Sequence, residues 1–227
     1  MDEKYESIVC ELKDELAGAA HHLDHTMRVL HNAVSISEGD DGVNLDVLVP
    51  ACLLHDVGRK KEDEDTTGLV DHAVVGTEMA ESILIKLGFD MQLIDAIKHC
   101  IRAHRFRKDH EKPSSKEAKI LFDADKIDLT GAMGIARMFM IAGQFNQRIL
   151  GCVDIDRYCT ENLSQGRQDG RIIDMSKHSP TIEFETKIKK LQERLFTERG
   201  RSLAQKRIAF MADFFSRLAT ETNYQTT

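Results

Sequence analysis

Apolar residues recur at intervals of three and four along most of this chain, and this helical spacing constrains its fold more than any other feature. The alternating pattern of half-buried strands is not evident, and only three prolines interrupt the 227 residues. We therefore predict an all-α fold. With 41% hydrophobic residues, the chain can bury a sizeable core as a single domain spanning residues 1–227.

Start and stop signals divide this pattern into separate helices. The predicted helices cover about residues 4–16, 22–37, 71–87, 92–104 and 132–149. Asp71 is the predicted N-cap of the third of these. Asp46 is the predicted cap of another helix, which leads into His55 and tolerates Pro50 only near its first turn.

Ser114 and Glu117 match a capping box for a helix that carries Asp125. Elsewhere we predict a polar loop over about residues 60–68, an irregular surface excursion over about 151–180, and two C-terminal helices within about 182–220. The excursion is a candidate lid.

Composition excludes several classes of protein. No stretch approaches the ~18 apolar residues of a membrane span, and the charged start lacks the apolar part of a signal peptide, so we expect a cytoplasmic protein without a membrane partner. A net charge of −7 argues against general nucleic acid binding and favours a small substrate. Five scattered cysteines without a CxxC pair predict reduced, mostly buried thiols.

A histidine and an aspartate stand side by side, His55-Asp56, at the end of an apolar segment. His25 lies upstream and Asp125 downstream. Imidazole nitrogens combined with carboxylate oxygens suit a divalent cation. The order H…HD…D is therefore a candidate metal site, although the spacing alone does not bring the four side chains together.

This order resembles the HD-domain superfamily of metal-dependent phosphohydrolases. The resemblance rests on HTMRV from His25, LLHDVGR from Leu53 and DADKID from Asp123. It continues through residues 72–76, 101–106 and 197–215, and so covers nearly the whole chain.

The resemblance implies an HD-domain helical bundle in which His25, His55, Asp56 and Asp125 bind one divalent metal ion. The ion would be Mn, Mg or another transition metal such as Fe, Co or Ni. The implied reaction is hydrolysis of a phosphomonoester or nucleotide phosphate bond by water, with Asp56 or Asp125 orienting the water. The sequence leaves the natural substrate and the oligomeric state open.

Several further histidines need separate interpretation. His72 and His104 are predicted to line the pocket, where they would donate to a phosphate or protonate a leaving group. The alternative is that they complete a second metal site. His21 is predicted to face the substrate, whereas His22, where many relatives have aspartate, is interpreted as a solvated surface residue. His99 is interpreted as a polar residue between helices.

Basic residues adjoin these positions and predict an anionic, phosphorylated substrate, for which a nucleotide is one candidate. The predicted substrate-binding residues are Arg59, Lys60, Arg105 and Lys126. No G-x-S-x-G motif and no GxxxxGK loop is present. Two other functions stay open: a non-catalytic nucleotide-sensing or regulatory HD module, and an HD-type di-iron oxygenase.

Overall fold

A computed structural model describes residues 3–15, 20–105, 111–151, 154–167 and 170–222. Its α-helices are α1 Glu3–Glu15, α2 Ala20–Ser37, α3 Leu45–Leu54, α4 Arg59–Glu64, α5 His72–Lys86, α6 Met91–Ala103, α7 Lys116–Ile127, α8 Gly131–Gln144, α9 Ile155–Asn162, α10 Pro180–Glu183 and α11 Glu198–Glu221. In these ranges, extended pairing is limited to one isolated bridge between Leu163 and Ile172. The all-α prediction is confirmed. Among the described helices, none combines the length and apolar composition needed to cross a bilayer.

The chain divides near the end of α7 into two compact units, residues 1–125 and 126–227. In the first unit, α3 contacts α1, α2 and α6, while α5 packs on α6 and α4 packs on α5. Every residue of α3 from Val47 to Leu54 is buried. A helix that is apolar on all sides belongs in the middle of a core. Its C-terminal end therefore delivers the following residues, His55 and Asp56, into the interior.

Two details of α3 differ from the prediction. The N-cap is Asn44, whose side chain accepts a hydrogen bond from the Asp46 backbone N–H. Pro50 lies in the middle of the helix, not near its first turn. A proline there costs about 3 kcal/mol because it removes one helical hydrogen bond and crowds the preceding turn. Because α3 is buried along most of its length, tertiary packing offsets that cost.

The capping box predicted for α7 is wrong. The Ser114 hydroxyl lies 2.9 Å from His99 Nε2, and the Glu117 carboxylate accepts a hydrogen bond from the Asn44 backbone N–H at 2.8 Å. Ser115 takes the capping role, since its hydroxyl accepts from the Ala118 N–H. Both predicted capping side chains are thus drawn to long-range partners, which local spacing does not reveal.

Part of the predicted polar loop after the His-Asp pair is helical. The helix α4 consists only of charged residues, so it carries no apolar spacing from which it could be recognised. It begins directly after Gly58 and is followed by α5, whose predicted cap is confirmed: the Asp71 side chain accepts from the Ala73 N–H at 2.9 Å.

In the second unit, α8 packs on α10 and α11. The segment over residues 151–180 is not only a surface excursion, because it contains α9, whose Tyr158 and Cys159 pack with Leu163 and Ile182. Its role as a lid stays a prediction. The first of the two predicted C-terminal helices is broken: a π-helical turn follows α10, with the Lys189 N–H donating to the Phe184 carbonyl at 2.9 Å.

The described cysteines match the expectation of reduced and mostly buried thiols. Cys52, Cys100 and Cys159 are buried and free, whereas Cys10 is exposed. Burial raises the pKa of Cys52 well above its usual range and that of Cys100 to about 12. Cys152 lies outside the described residues.

This difference predicts selective alkylation. At pH 8 a small alkylating reagent is expected to modify Cys10 and to leave Cys52 and Cys100 intact, because a buried thiol with a raised pKa offers little thiolate. Mass spectrometry of proteolytic fragments measures the outcome. In guanidinium chloride all three should react; fast modification of Cys52 in the folded protein would contradict the described packing.

Candidate metal centre

The ends and inner faces of several helices in the first unit bring metal-binding side chains together. The contributing residues are His25 of α2, His55 and Asp56 after α3, His72 at the start of α5, His104 after α6 and Asp125 of α7. They come from distant parts of the sequence, so only the tertiary fold makes them neighbours.

The first group of donor atoms consists of the four predicted metal ligands. His25 Nε2 lies 3.3 Å from Asp125 Oδ1, 3.4 Å from His55 Nε2 and 3.8 Å from Asp56 Oδ2. His55 Nε2 is also 3.8 Å from Asp56 Oδ2. His25, His55 and Asp56 place one ligand atom each within 4.8 Å of one another, and Asp125 joins them through its contact with His25. Imidazole nitrogens and carboxylate oxygens form the mixed set that suits a divalent cation.

The second group of donor atoms consists of Asp56, His72 and His104, all of which are buried. His72 Nε2 lies 3.2 Å from Asp56 Oδ1 and 3.1 Å from His104 Nε2, and His104 Nε2 is 3.7 Å from the same oxygen. The two groups share Asp56 and use different oxygens of it. A carboxylate placed in this way can bridge two cations, as in two-metal hydrolytic sites.

Hydrogen bonds fix the tautomers of three of these histidines. His55 Nδ1 lies 2.8 Å from the Cys52 carbonyl oxygen, and His104 Nδ1 lies 2.6 Å from the Ile101 carbonyl oxygen. A carbonyl only accepts, so each Nδ1 carries the proton. His72 Nδ1 donates in the same way to a carboxylate oxygen of Glu62 at 2.6 Å. The Nε2 atom of each ring is therefore the one that can bind a metal.

The donor sets fit a cation on physical grounds. The Nε2 atoms of His72 and His104 lie 3.1 Å apart, and when both rings carry their single proton on Nδ1 each of these atoms offers only a lone pair. Neither atom can donate a hydrogen bond to the other, so the arrangement is unfavourable unless a positive charge lies close to both. A metal ion bound by both nitrogens removes this conflict.

Ionisation also favours metal binding. Burial lowers the pKa of His55 to about 4 and that of His72 to about 3, so both rings are neutral near pH 7. Burial alone would raise the pKa of the Asp56 carboxyl, but neighbouring His55 and Arg59 hold it well below its usual range. Neutral imidazoles beside an ionised carboxylate are the protonation states that bind metals.

A residue that the sequence did not indicate, Glu62 of α4, connects the second group to the predicted substrate-binding arginines. Arg59 donates to Asp56 Oδ1 at 3.0 Å and to Glu62 Oε2 at 2.9 Å. Arg105 donates to Glu62 Oε1 at 2.9 Å and lies 2.8 Å from Asp71 Oδ2. Glu62 was missed because it stands in a run of charged residues, where no local signal separates it from its neighbours.

The remaining predicted positions differ in burial. Lys60 is exposed on α4, and Lys126 is half-buried in the last turn of α7. His99 contacts Glu111 and Ser114, which fits its interpretation as a polar residue between structural elements. The side chains of His21 and His22 lie outside the described residues.

The chain is similar in sequence and fold to several known proteins. Residues 23–130 match the HD domain family. The structure resembles that of Bacillus subtilis YpgQ in complex with ADP, with a TM-score of 0.70 and 26% sequence identity, over 96% of this chain and 95% of that one. An HD-superfamily hydrolase from Bacillus thuringiensis gives a TM-score of 0.71 with 25% identity, over 98% of both chains.

A relative with an assigned activity matches over a shorter region. The 3'-5' exoribonuclease YhaM of Bacillus pumilus is 29% identical across 59% of this chain, which corresponds to 46% of the length of YhaM. Of these similar proteins, YpgQ was solved with ADP and YhaM is named as an exoribonuclease.

Proposed function

We propose that this chain is a metal-dependent phosphohydrolase, because residues 23–130 match the HD domain family and the fold resembles that of an HD-superfamily hydrolase. The bond cleaved is a phosphomonoester or nucleotide phosphate bond, and the attacking group is water. The observation that carries this proposal is the pair of donor groups that meet at the buried carboxylate of Asp56.

His25, His55, Asp56 and Asp125 would hold the first cation, and Asp56, His72 and His104 would hold a second. A cation there lowers the pKa of a coordinated water and neutralises charge on a phosphoryl oxygen. The geometry favours this metal-binding role for His72 and His104 over the alternative of proton transfer to a leaving group, because both Nε2 atoms face Asp56.

We propose a nucleotide or related small phosphate ester as the substrate. Its support is the ADP complex of YpgQ together with the exoribonuclease activity of YhaM. Arg59 and Arg105 lie beside the second donor group, where a guanidinium can bind a phosphate oxygen through two N–H groups. In the described structure both arginines are held by carboxylates, which would compete with the substrate.

Hydrolysis by the purified protein is the direct test. The protein is first stripped of metal with a chelator and then given Mn²⁺, Mg²⁺, Co²⁺ or Fe²⁺. Release of phosphate or pyrophosphate is measured for nucleoside mono-, di- and triphosphates, an aryl phosphate and a short oligoribonucleotide. We expect turnover with at least one cation, no turnover in excess chelator, and recovery when the cation is restored.

Three results would contradict the proposal in different ways. Nucleotide binding without turnover under every cation would favour the non-catalytic sensing module. Oxygen consumption by the iron-loaded protein, without phosphate release, would favour the di-iron oxygenase. Full turnover after exhaustive chelation would exclude a metal-dependent mechanism.

A further inference from the structure

The Glu62 carboxylate accepts hydrogen bonds from three side chains, one imidazole and two guanidinium groups. Its Oε2 accepts from His72 Nδ1 at 2.6 Å and from Arg59 at 2.9 Å, and its Oε1 accepts from Arg105 at 2.9 Å. Its side chain is 19% exposed, so these contacts are made largely away from water. Neither oxygen of Glu62 belongs to the two donor groups at Asp56.

The contact with His72 determines which nitrogen of that ring carries the proton. An ionised carboxylate can only accept, so it holds the proton on Nδ1 and leaves the Nε2 lone pair directed at Asp56 and His104. Carboxylate–histidine pairs of this kind orient metal-binding imidazoles and increase their basicity. Without the carboxylate, the tautomer with the proton on Nε2 becomes accessible, and that tautomer cannot bind a cation.

The contact between Glu62 and Arg59 affects Asp56, the carboxylate of the second donor group. Arg59 divides its donors between Glu62 and Asp56. Its shortest hydrogen bond to Asp56, at 3.0 Å, goes to Oδ1, the oxygen that faces His72 and His104, and longer ones of 3.3 and 3.4 Å go to Oδ2. If Glu62 loses its charge, Asp56 and Asp125 remain to attract this guanidinium, and Asp56 already accepts a hydrogen bond from it. Arg59 then competes more strongly for the oxygen that a second cation needs.

From these contacts we propose that Glu62 is a positioning residue for a second cation at Asp56, His72 and His104. It acts by fixing the tautomer of His72 and by drawing Arg59 away from Asp56 Oδ1. This inference rests on the proposed cation-dependent function. It goes beyond that function because it assigns to Glu62 the control of cation affinity at the second donor group and not at the first.

Counting bound Mn²⁺ in three proteins tests the assignment. Electron paramagnetic resonance measures free Mn²⁺ during titration of the wild-type protein, Glu62→Gln and Glu64→Gln. Glu64 is the matched control, because it is an exposed carboxylate on the same helix α4. We expect two bound ions in the wild type and in Glu64→Gln. In Glu62→Gln we expect one ion bound as in the wild type and a second bound about 10- to 100-fold more weakly.

A second measurement reports the tautomer without any metal. In chelated protein labelled with ¹⁵N-histidine, the ring nitrogen shifts of His72 should indicate Nδ1–H in the wild type and a mixture of tautomers in Glu62→Gln. Circular dichroism checks that each variant is folded. If Glu62→Gln does not fold, Glu62→Asp takes its place, since it keeps the charge but shortens the reach by one methylene group.

Three outcomes would overturn the role of Glu62: two ions bound with unchanged affinity in Glu62→Gln, equal weakening of both ions, or a wild-type protein that binds only one. The last result leaves a hydrolase with one cation intact. Conversely, absence of hydrolysis with every cation would remove the proposed function, while the ion count would still decide the role of Glu62.

Discussion

Asp56→Ala is expected to abolish high-affinity cation binding at both donor groups and to reduce hydrolysis to the level of the chelated wild-type protein. Asp56 is the residue that the two groups share: Oδ2 faces His25 and His55, and Oδ1 faces His72 and His104. Alanine removes both oxygens. Removal of one partner from a buried charge pair typically costs about 3–5 kcal/mol, which corresponds to roughly a hundredfold or more in affinity.

The measurement combines metal analysis with the hydrolysis assay. Asp95→Ala is a suitable control, because Asp95 is an exposed carboxylate on α6 in the same unit. It should retain metal content and activity. If Asp56→Ala kept its full metal content and activity, the assignment of this site would be wrong. Circular dichroism shows whether the variant has folded, so that loss of metal is not mistaken for loss of structure.

Gly58→Ala is expected to reduce stability strongly, although it adds a single methyl group. A Cβ at residue 58 would lie 2.5 Å from the His72 carbonyl oxygen and 2.6 Å from the Gly76 backbone nitrogen. Both are backbone atoms of α5, so the start of that helix must move. Insertion of a methyl group into a packed site typically costs about 1–3 kcal/mol. The displacement carries His72 with it, so affinity at the second donor group should also fall.

Chemical denaturation of the chelated protein measures the stability effect without a contribution from the metal. Gly143→Ala is the control, because among the described residues no atom outside its own stretch of α8 lies within 4 Å of the added Cβ. It should be neutral or raise the free energy of unfolding by up to about 1 kcal/mol, since alanine has the higher helix propensity. Equal stability of Gly58→Ala and the wild-type protein would show that the two backbone segments are not in close contact.

The architecture was largely predictable where local chemistry decides it. The apolar segment before His55 predicted a helix that leads into the His-Asp pair, and the cap at Asp71 was correct because its partner, the Ala73 N–H, is only two residues away. The predicted capping by Ser114 and Glu117 failed because those side chains bind residues far along the chain. Local spacing carries no information about such long-range competition.

The candidate site was likewise predictable only where the order of residues along the chain indicates it. The residues of the first donor group stand in a recognisable order, and the structure brings all of them together. The contacts of Glu62 join residues 59, 72 and 105, and the helix that carries it has no apolar face to reveal its position. Its importance arises only from three-dimensional proximity, which a single sequence does not encode in any short pattern.

The hydrogen bonds that orient the imidazoles differ in how they respond to sequence change. His55 and His104 donate to backbone carbonyls, at Cys52 and Ile101. Every amino acid supplies a carbonyl, so replacements at those two positions can preserve the orientation as long as the helix forms. His72 depends on the side chain of Glu62, which a single codon change can remove. During divergence, metal affinity can therefore be adjusted at His72 in one mutational step, whereas the orientation of His55 and His104 is protected by the backbone itself.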